Sequence, residues 1–279
     1  MSQTWTDLGY LVAAVCFIVA LKGLSSPRSA RFGNLVGAAG AVLAVVVVFL
    51  SENLDHLFLI LAAIVVGTAV GVPAARRVKM TAMPQLVAAF NGVGGGAAAI
   101  VAITEFIKTG GGEAVGALAA TVFTVLVGCV SFTGSAVTFG KLQELMTTRP
   151  VVPPAGRWIS TALAVAALGL AVAVLPAPST PLLALLTVVS LALGVLFVLP
   201  VGGADVPIVI SLLNAFTGLS VAASGYVLGN TLLIVAGTLV GAAGTLLTRL
   251  MAQAMGRPLT NILFGAFTAA AAGAGAGAA

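Results

Sequence analysis

Polar side chains that could hold protons or water occur at a few positions within long apolar stretches of this sequence. Asp205 follows a Gly-Gly pair, and Asn214 lies nine residues later in an otherwise apolar run. Asn91 lies in a second apolar run, VAAFNGVGGGAAAI. Polar groups inside a membrane are costly and usually face a partner or water. This pattern therefore suits a proton or ion path.

Each of these three residues also has a purely structural interpretation. Asp205, with Pro207 two residues later, suits the N-cap of a helix, where a carboxylate accepts hydrogen bonds from free backbone N–H groups. Asn91 and Asn214 suit interhelical hydrogen bonds worth about 1 kcal/mol each. In a regular helix Asn214 would lie about 13 Å beyond Asp205, so the pair marks a membrane mouth and a mid-membrane point.

The other candidate polar residues within apolar runs are hydroxyls, which can bond to a carbonyl of the preceding turn. They are Thr133, Ser135, Ser211, Thr217, Ser224 and Thr238. The single histidine, His56, lies in the segment SENLDH and is interpreted as a surface residue. Cys16 and Cys129 have no ligand cluster around them. We therefore expect two small buried residues and neither a metal site nor a disulfide.

Composition identifies the elements that must position these residues. The 279 residues are 60% hydrophobic and 7% charged, and the mean hydropathy is +1.21. Apolar runs of about 20 residues, at about 1.5 Å rise per residue, cross a hydrocarbon core of about 30 Å. The composition excludes a soluble domain and predicts an all-α, polytopic membrane bundle of about nine transmembrane helices.

The predicted spans are separated by short connections. They are Leu8–Leu24, Phe32–Leu50, Leu54–Ala75, Pro84–Thr104, Ala114–Gly140, Trp158–Leu175, Pro181–Leu199, Val206–Leu228 and Thr231–Met251. We predict a transmembrane domain over residues 1–264 and a Gly/Ala-rich linker over residues 265–279. A linker of this kind is expected to lead toward a further domain.

The distribution of charge predicts the topology. Eleven of the twelve Lys and Arg residues fall in the loops after the first, third, fifth and ninth spans. The opposite side has only Lys108, together with five of the seven acids. Basic residues are enriched in cytoplasmic loops, so the N-terminus is expected outside and the C-terminus in the cytoplasm. The net charge of +5 is therefore a topology signal and gives no indication of nucleic-acid binding.

The glycines favour helix packing over nucleotide binding. The segment NGVGGGAAAI matches the spacing of a dinucleotide-binding turn, but that turn must follow a strand. Here the segment lies within a predicted span, so the match is accidental. Gly237 and Gly241 form a G-x-x-x-G pair that Gly244 extends, a pattern that lets membrane helices approach closely.

Four segments of the chain closely resemble the beta subunit of proton-translocating NAD(P) transhydrogenase. They are MTAMPQLVAAFNGVGGGAAAIVA, SFTGSAVTFGKLQ, GGADVPIVISLLNAFTG, and NTLLIVAGTLVGAAGTLL followed by MAQAMGRP. The resemblance extends over essentially the whole chain. It implies a multi-pass subunit in a bacterial-type inner membrane, where proton passage is coupled to hydride transfer between NADH and NADP+.

The resemblance also assigns roles to individual residues. The residues expected to line a proton channel are Asn91, Ser135, Asn214 and Gly244. Asp205 and Arg257 are expected at the cytoplasmic face, where they would meet an NADP(H)-binding domain. The chain itself is expected to hold no catalytic residue, no metal and no cofactor, because NADP(H) and NAD(H) bind in partner domains of this family.

The partners implied by the resemblance are an alpha side that binds NAD(H) and an NADP(H)-binding domain after the membrane part. Asn91 stands where some members have a mid-membrane histidine. In other members a histidine on a small membrane alpha subunit serves instead, and the absence of a buried histidine here agrees with that class. A dimer of protomers within membrane lipid, without nucleic acid, completes the expected assembly.

Two other functions compete with this interpretation. A proton-coupled or ion transporter without a redox role should contain broken helices or paired intramembrane charges, and the sequence indicates neither. The lack of a visible internal repeat also weakens the transporter interpretation. A purely structural membrane subunit would not need amides as deep as Asn91 and Asn214.

Overall fold

Helices make up nearly all of the computed structural model, which describes residues 3–51, 54 and 56–258. Within this part of the chain, nine α-helices are long and apolar enough to cross a membrane. They are α1 (Gln3–Leu24), α2 (Ala30–Ser51), α3 (Leu57–Arg77), α4 (Met83–Thr109), α5 (Val115–Leu142), α6 (Gly156–Val174), α7 (Thr180–Val198), α8 (Val206–Val227) and α9 (Thr231–Ala254). The predicted all-α bundle is confirmed, whereas the predicted linker at 265–279 lies outside the described residues.

The helices differ most from the predicted spans at two ends. The first helix begins five residues before the predicted Leu8, and α4 ends five residues after the predicted Thr104. The additional turn of α4 carries Glu105 and Lys108, which form an ion pair at 3.8 Å, and this spacing stabilises a helix surface. Hydropathy marks only the part of a helix that lies in hydrocarbon, so it misses interfacial turns.

The fifth helix lies at the centre of the bundle and packs against α4, α7 and α8. One apolar cluster between α4, α5, α6 and α7 includes Phe106, Val125, Val174 and Leu186, which are all almost fully buried. Side chains on α5 that would be exposed on an isolated helix are therefore removed from lipid. This central position makes the polar side chains of α5 the ones most in need of partners.

Close packing of α8 against α9 depends on glycine. A β-carbon on Gly244 would lie 2.8 Å from the backbone nitrogen of Ala215, closer than real β-carbons approach. A β-carbon on Gly218 would collide with the backbone of Gly241, and one on Gly237 would collide with α8 in the same way. The predicted packing role of the α9 glycines is confirmed, because only hydrogen atoms fit between these backbones.

The third helix is the least integrated element of the bundle. None of its residues is buried, and its large side chains, such as Phe58 and Val70, are mostly exposed. A β-carbon added to Gly67 or Gly71 would meet no neighbour within 4 Å. The third helix therefore contributes no buried residue to the interior of the bundle.

We refer to the two ends of the bundle by one acidic residue each. The Asp205 end contains the first residues of α8 and the last residues of α5 and α9, and the Glu113 end contains the first residues of α5 and the last residues of α4 and α8. His56, just before α3, is exposed, as predicted. Of the two cysteines, Cys129 is buried as expected, but Cys16 is only half-buried.

Candidate functional site

A hydrogen-bonded polar cluster lies where α4, α5 and α8 meet. The amide nitrogen of Asn91 on α4 donates to the hydroxyl oxygens of Ser135, at 2.8 Å, and Ser131, at 3.3 Å, on α5. Ser131 donates to the carbonyl oxygen of Leu213 on α8 at 2.9 Å, and its oxygen lies 2.5 Å from the Thr217 hydroxyl oxygen. Since Ser131 has a single hydrogen to donate, Thr217 must be the donor in that contact.

The glycine run of α4 lets Asn91 reach these partners. A β-carbon on Gly92 would lie 3.2 Å from the β-carbon of Ser135, and one on Gly95 would lie 3.0 Å from the β-carbon of Ser131. Larger residues would hold α4 away from α5. The NGVGGG segment is therefore the interior of a packed helix, which confirms that its match to a dinucleotide-binding turn is accidental.

One polar atom of the cluster has no partner. Asn91 is only 8% exposed, and its carbonyl oxygen, Oδ1, accepts no hydrogen bond from the described part of the chain. Buried polar atoms are nearly always paired with protein or with ordered water. This oxygen therefore marks a position where a water molecule, or a donor from another chain, completes the cluster.

Asn214 is next to the cluster in sequence but is not part of it. The cluster uses the carbonyl of the preceding residue, Leu213, and the hydroxyl of Thr217, three residues later. The Asn214 side chain is half-buried, and within the described residues it makes no hydrogen bond to the cluster. The structure thus brings the predicted residues Asn91 and Ser135 together without Asn214.

Gly244 lies at the contact between α8 and α9 rather than in the cluster. Its carbonyl oxygen accepts a hydrogen bond from the Ser211 hydroxyl of α8 at 3.1 Å. The same oxygen accepts a second hydrogen bond from Thr248, one turn later on α9, at 2.7 Å. These buried contacts tie the half of α8 that begins at Asp205 to the last turns of α9.

Asp205 occupies the N-cap position of α8, but its side chain makes no capping hydrogen bond. The expectation that it accepts backbone N–H groups is therefore wrong. A capping residue normally has an extended backbone, whereas Asp205 ends the short 3-10 turn Gly203–Asp205 and has helical angles, φ −90° and ψ −5°. The carboxylate consequently accepts none of the free N–H groups of α8.

Arg257 lies beside this carboxylate. The distance from Arg257 Nε to Asp205 Oδ1 is 3.1 Å, and the two side chains are 55% and 23% exposed. The contact is an ion pair without hydrogen-bond alignment, since Oδ1 has no hydrogen-bond partner in the described chain. The two residues predicted at the cytoplasmic face thus lie together on a surface that a second domain can reach.

Lys141 follows the predicted fifth span and is one of the basic residues that the sequence assigns to a loop, but it is buried at the end of α5. Its ammonium group donates to the carbonyl oxygens of Val198 at 3.2 Å, Leu199 at 2.6 Å and Val201 at 2.7 Å. These carbonyls end α7 and begin the loop to Asp205. The last carbonyls of a helix lack partners within the helix and favour a cation, so Lys141 fixes this loop.

The remaining hydroxyls predicted from the sequence have mixed positions. Thr133 bonds to the Leu191 carbonyl of α7 at 2.8 Å, so it joins α5 to α7 instead of the cluster. Thr238 bonds to its own helix, at the Ile234 carbonyl. Ser131 was missed as a site residue, although its spacing of four residues before Ser135 places both on one face of α5.

Comparison with known proteins identifies the family of this chain. Residues 6–279 match the model of the NAD(P) transhydrogenase beta subunit family. The protein named NAD(P) transhydrogenase subunit beta from Rhodospirillum rubrum is 38% identical over 288 residues, which cover 99% of this chain and 62% of that protein. A protein of the same name from a designated strain of that organism has the same values. The chain thus spans about three-fifths of the length of these curated relatives.

Proposed function

Since this chain belongs to the NAD(P) transhydrogenase beta subunit family, we propose that it is the membrane part through which protons pass in an NAD(P) transhydrogenase. In this proposal, proton passage is coupled to hydride transfer between NADH and NADP+ in soluble domains. The chain contributes no catalytic residue, and the nucleotides bind in partner domains. It would act in a bacterial-type inner membrane as a multi-pass subunit.

The polar cluster around Asn91 is the observation that carries the proposal. Interhelical hydrogen bonds that served stability alone would pair every buried polar atom, because an unpaired polar group inside a membrane is costly. The cluster instead buries an amide and three hydroxyls and leaves the Asn91 carbonyl oxygen free. Such groups order water and pass protons along hydrogen bonds without becoming charged themselves.

The titrating group of this path is expected on a partner. Neither an amide nor a hydroxyl changes its charge near neutral pH, and the single histidine is exposed outside α3. We therefore propose that a small membrane alpha subunit supplies a histidine near Asn91. The NAD(H)-binding alpha side and a second protomer complete the proposed assembly.

Coupling to the soluble part is proposed at the Asp205 end. The Asp205–Arg257 ion pair is partly exposed there, and Lys141 holds the loop that leads to it. The same helix, α5, carries Ser131 and Ser135 in the cluster and Lys141 six residues after Ser135. A change in the cluster would thus reach the surface where we propose that the NADP(H)-binding domain docks.

The proposal is tested with the complete enzyme, including the NADP(H)-binding domain and the alpha partners, reconstituted in vesicles. Hydride transfer to an NADP+ analogue and internal pH are recorded together for wild type and Asn91→Leu. We expect proton movement tied to turnover in wild type and its loss in the variant. Thr104→Val, an exposed hydroxyl on the same helix, is the matched control. Turnover of the wild-type enzyme without a pH change would refute the proposed function.

A further inference from the structure

We propose that a second limb of the proton path runs from the Asn91 cluster toward the Glu113 end, between α5 and α8, and that the Glu113 carboxylate exchanges protons with water there. This inference rests on the proposed function and names one of its two entrances. By the predicted topology, the Glu113 end faces the outside of the cell.

A line of buried hydroxyls continues along α5 from the cluster. Thr124 and Thr121 lie seven and ten residues before Ser131, a spacing that keeps all three on one helix face. Both threonines are fully buried. Thr124 donates to the Ala120 carbonyl at 2.8 Å and lies 3.3 Å from the Ser220 carbonyl of α8. The α5 face toward α8 is thus polar over several turns.

A matching line of hydroxyls lies on α8. Thr217, Ser220 and Ser224 are three and four residues apart, and all three are buried. Thr217 meets α5 at Ser131, and the Ser220 carbonyl meets α5 at Thr124. Ser224 continues this face one turn further toward the Glu113 end. Because α5 and α8 run in opposite directions, the two lines face each other.

The hydroxyl of Ser224 is the independent sign that something else binds here. Ser224 is 5% exposed, and its oxygen has no hydrogen-bond partner within the described residues. A helical serine can bond to the preceding turn, as Ser220 does at the Thr217 carbonyl, 2.8 Å away, but Ser224 does not. The unpartnered oxygens of Ser224 on α8 and Asn91 on α4 therefore mark positions for bridging waters.

Glu113 lies where this line reaches the surface. Its Oε2 accepts a hydrogen bond from the buried Thr121 hydroxyl at 3.4 Å, and its Oε1 accepts one from Thr109 at 3.2 Å. The carboxylate is half-buried. Glu113 thus contacts a buried hydroxyl of the α5 line on one side and the surface of the bundle on the other. A group through which protons enter requires this position.

The other charged or titratable side chains at this end on the packed helices are Glu105 and Lys108 of α4 and Tyr226 of α8. Glu105 and Lys108 pair with each other, so the cation is engaged away from Glu113. The Tyr226 hydroxyl lies 3.3 Å from a β-carbon placed on Gly116. Among the described acids of these helices, Glu113 is the one that contacts a fully buried hydroxyl.

Proton movement along this line needs no net change in bonding. Glu113 takes a proton from water onto one carboxylate oxygen and releases a proton to the nearest bridging water. Each water or hydroxyl then accepts a proton on a lone pair and gives its own to the next. One O–H bond breaks for each that forms, and no electrons are transferred. The carboxylate is needed because the amide and the hydroxyls along this line keep the same charge near neutral pH.

The test uses the complete enzyme in vesicles, with the pH varied separately on each side of the membrane. The decisive variant is Ser224→Ala, because its hydroxyl has no protein partner to lose. Its matched control is Ser190→Ala, which removes another buried hydroxyl without a partner, on α7 outside the α5–α8 contact. Glu113→Gln is paired with Glu105→Gln, and Thr121→Val with Thr104→Val.

We expect Glu113→Gln to lower the rate of coupled turnover several-fold. The rate of this variant should no longer depend on the pH on the side of the Glu113 end, whereas its dependence on the pH of the opposite side should remain. Ser224→Ala and Thr121→Val should lower the rate less, while the three controls match wild type. Wild-type rates and pH profiles in all three test variants would overturn the inference. Equal slowing at every pH on both sides would also overturn it, because that indicates a structural fault.

Assembly is checked by co-purification of the alpha partners. If Glu113→Gln fails to assemble, Ser224→Ala and Thr121→Val decide the question, since both preserve the shape of the contact. If the wild-type enzyme couples proton movement to turnover and the variants do so equally well, only the proposed entrance at Glu113 is refuted. Loss of coupling in wild type itself would remove the proposed function and this inference with it.

Discussion

The two contacts of α8, with α5 on one side and α9 on the other, are built from different chemistry. Toward α5, the Thr217 hydroxyl of α8 meets Ser131, and the Ser220 carbonyl accepts a hydrogen bond from Thr124. Toward α9, backbones meet at Gly218 and Gly241, where a β-carbon would not fit. Hydroxyls can exchange partners with water, whereas two backbones in contact leave no room for it.

From this difference we expect α8 and α9 to move together in any rearrangement of the bundle. Asp205 begins α8, and Arg257 follows α9 by three residues, so both members of the ion pair belong to the tightly packed α8–α9 pair. The polar cluster belongs to the α5–α8 contact. A rearrangement of hydrogen bonds on the α5 side would therefore displace α8 and α9 as one unit and carry the ion pair with it.

The largest expected effect on stability comes from placing a side chain in the glycine contact between α8 and α9. Gly218→Val places a side chain against the Gly241 backbone, and overpacking of this kind costs about 1–3 kcal/mol or more. We expect a lower midpoint of thermal unfolding and little assembled complex. Gly169→Val on α6, where no neighbour lies within 4 Å, should unfold like wild type. Equal stability of the two variants would contradict the direct contact between the α8 and α9 backbones at Gly218.

Removing the buried ammonium group of Lys141 should have the next largest effect. Lys141→Met keeps the length of the side chain but leaves three carbonyls without their donor, and a hydrogen bond to a charged group is worth about 1.5–3 kcal/mol. Thermal unfolding and protease cleavage of the loop before Asp205 should both show the loss. The exposed Lys79→Met is the control, and an unchanged cleavage rate in Lys141→Met would show that Lys141 does not hold this loop.

Breaking the polar contact should cost less and should be non-additive. Ser131→Ala leaves the Asn91 and Thr217 donors with one acceptor fewer, which costs about 1–3 kcal/mol for a buried group. Thr217→Val breaks the same hydrogen bond, so the double variant should be less destabilised than the sum of the two. A double-variant cycle on thermal unfolding measures this, and strict additivity would mean that the contact between the two hydroxyls contributes nothing.

Asn214→Leu should change stability little, because Asn214 is half-buried and outside the cluster. If its predicted channel role holds, the assembled variant should nevertheless lose coupled turnover. The measurement is proton movement per hydride transferred in vesicles, with co-purified alpha subunits as the control for assembly. Normal coupled rates would exclude Asn214 from the path and leave the α5–α8 line as the polar route.

The smallest effect on stability is expected at the ion pair. Asp205→Asn removes an attraction between partly exposed groups, and such pairs are worth about 0–1 kcal/mol. Its effect should instead appear as weaker coupling between turnover and internal pH. Arg257→Gln should weaken coupling by the same amount, and the double variant should add nothing further. Unequal effects of the two substitutions would argue against a shared role.

Much of this fold could be predicted because membrane spans obey a simple rule. Any helix that crosses hydrocarbon needs about 20 apolar residues whatever its neighbours are, so nine spans follow from hydropathy. Hydropathy does not predict the turns at the membrane interface, such as the last turn of α4, where Glu105 and Lys108 extend the helix. The α9 glycines were predicted as packing residues because their spacing has the same meaning in any membrane helix.

The sequence by itself determined the membrane class, the spans and the two deep amides, since burial of polar groups in hydrocarbon is costly wherever they occur. Only the tertiary structure decided which polar groups meet. Thr133 and Ser131 are two residues apart on α5, yet one bonds to α7 and the other completes the cluster with α4 and α8. Periodicity tells which residues share a helix face, but the partner of that face depends on how the helices pack.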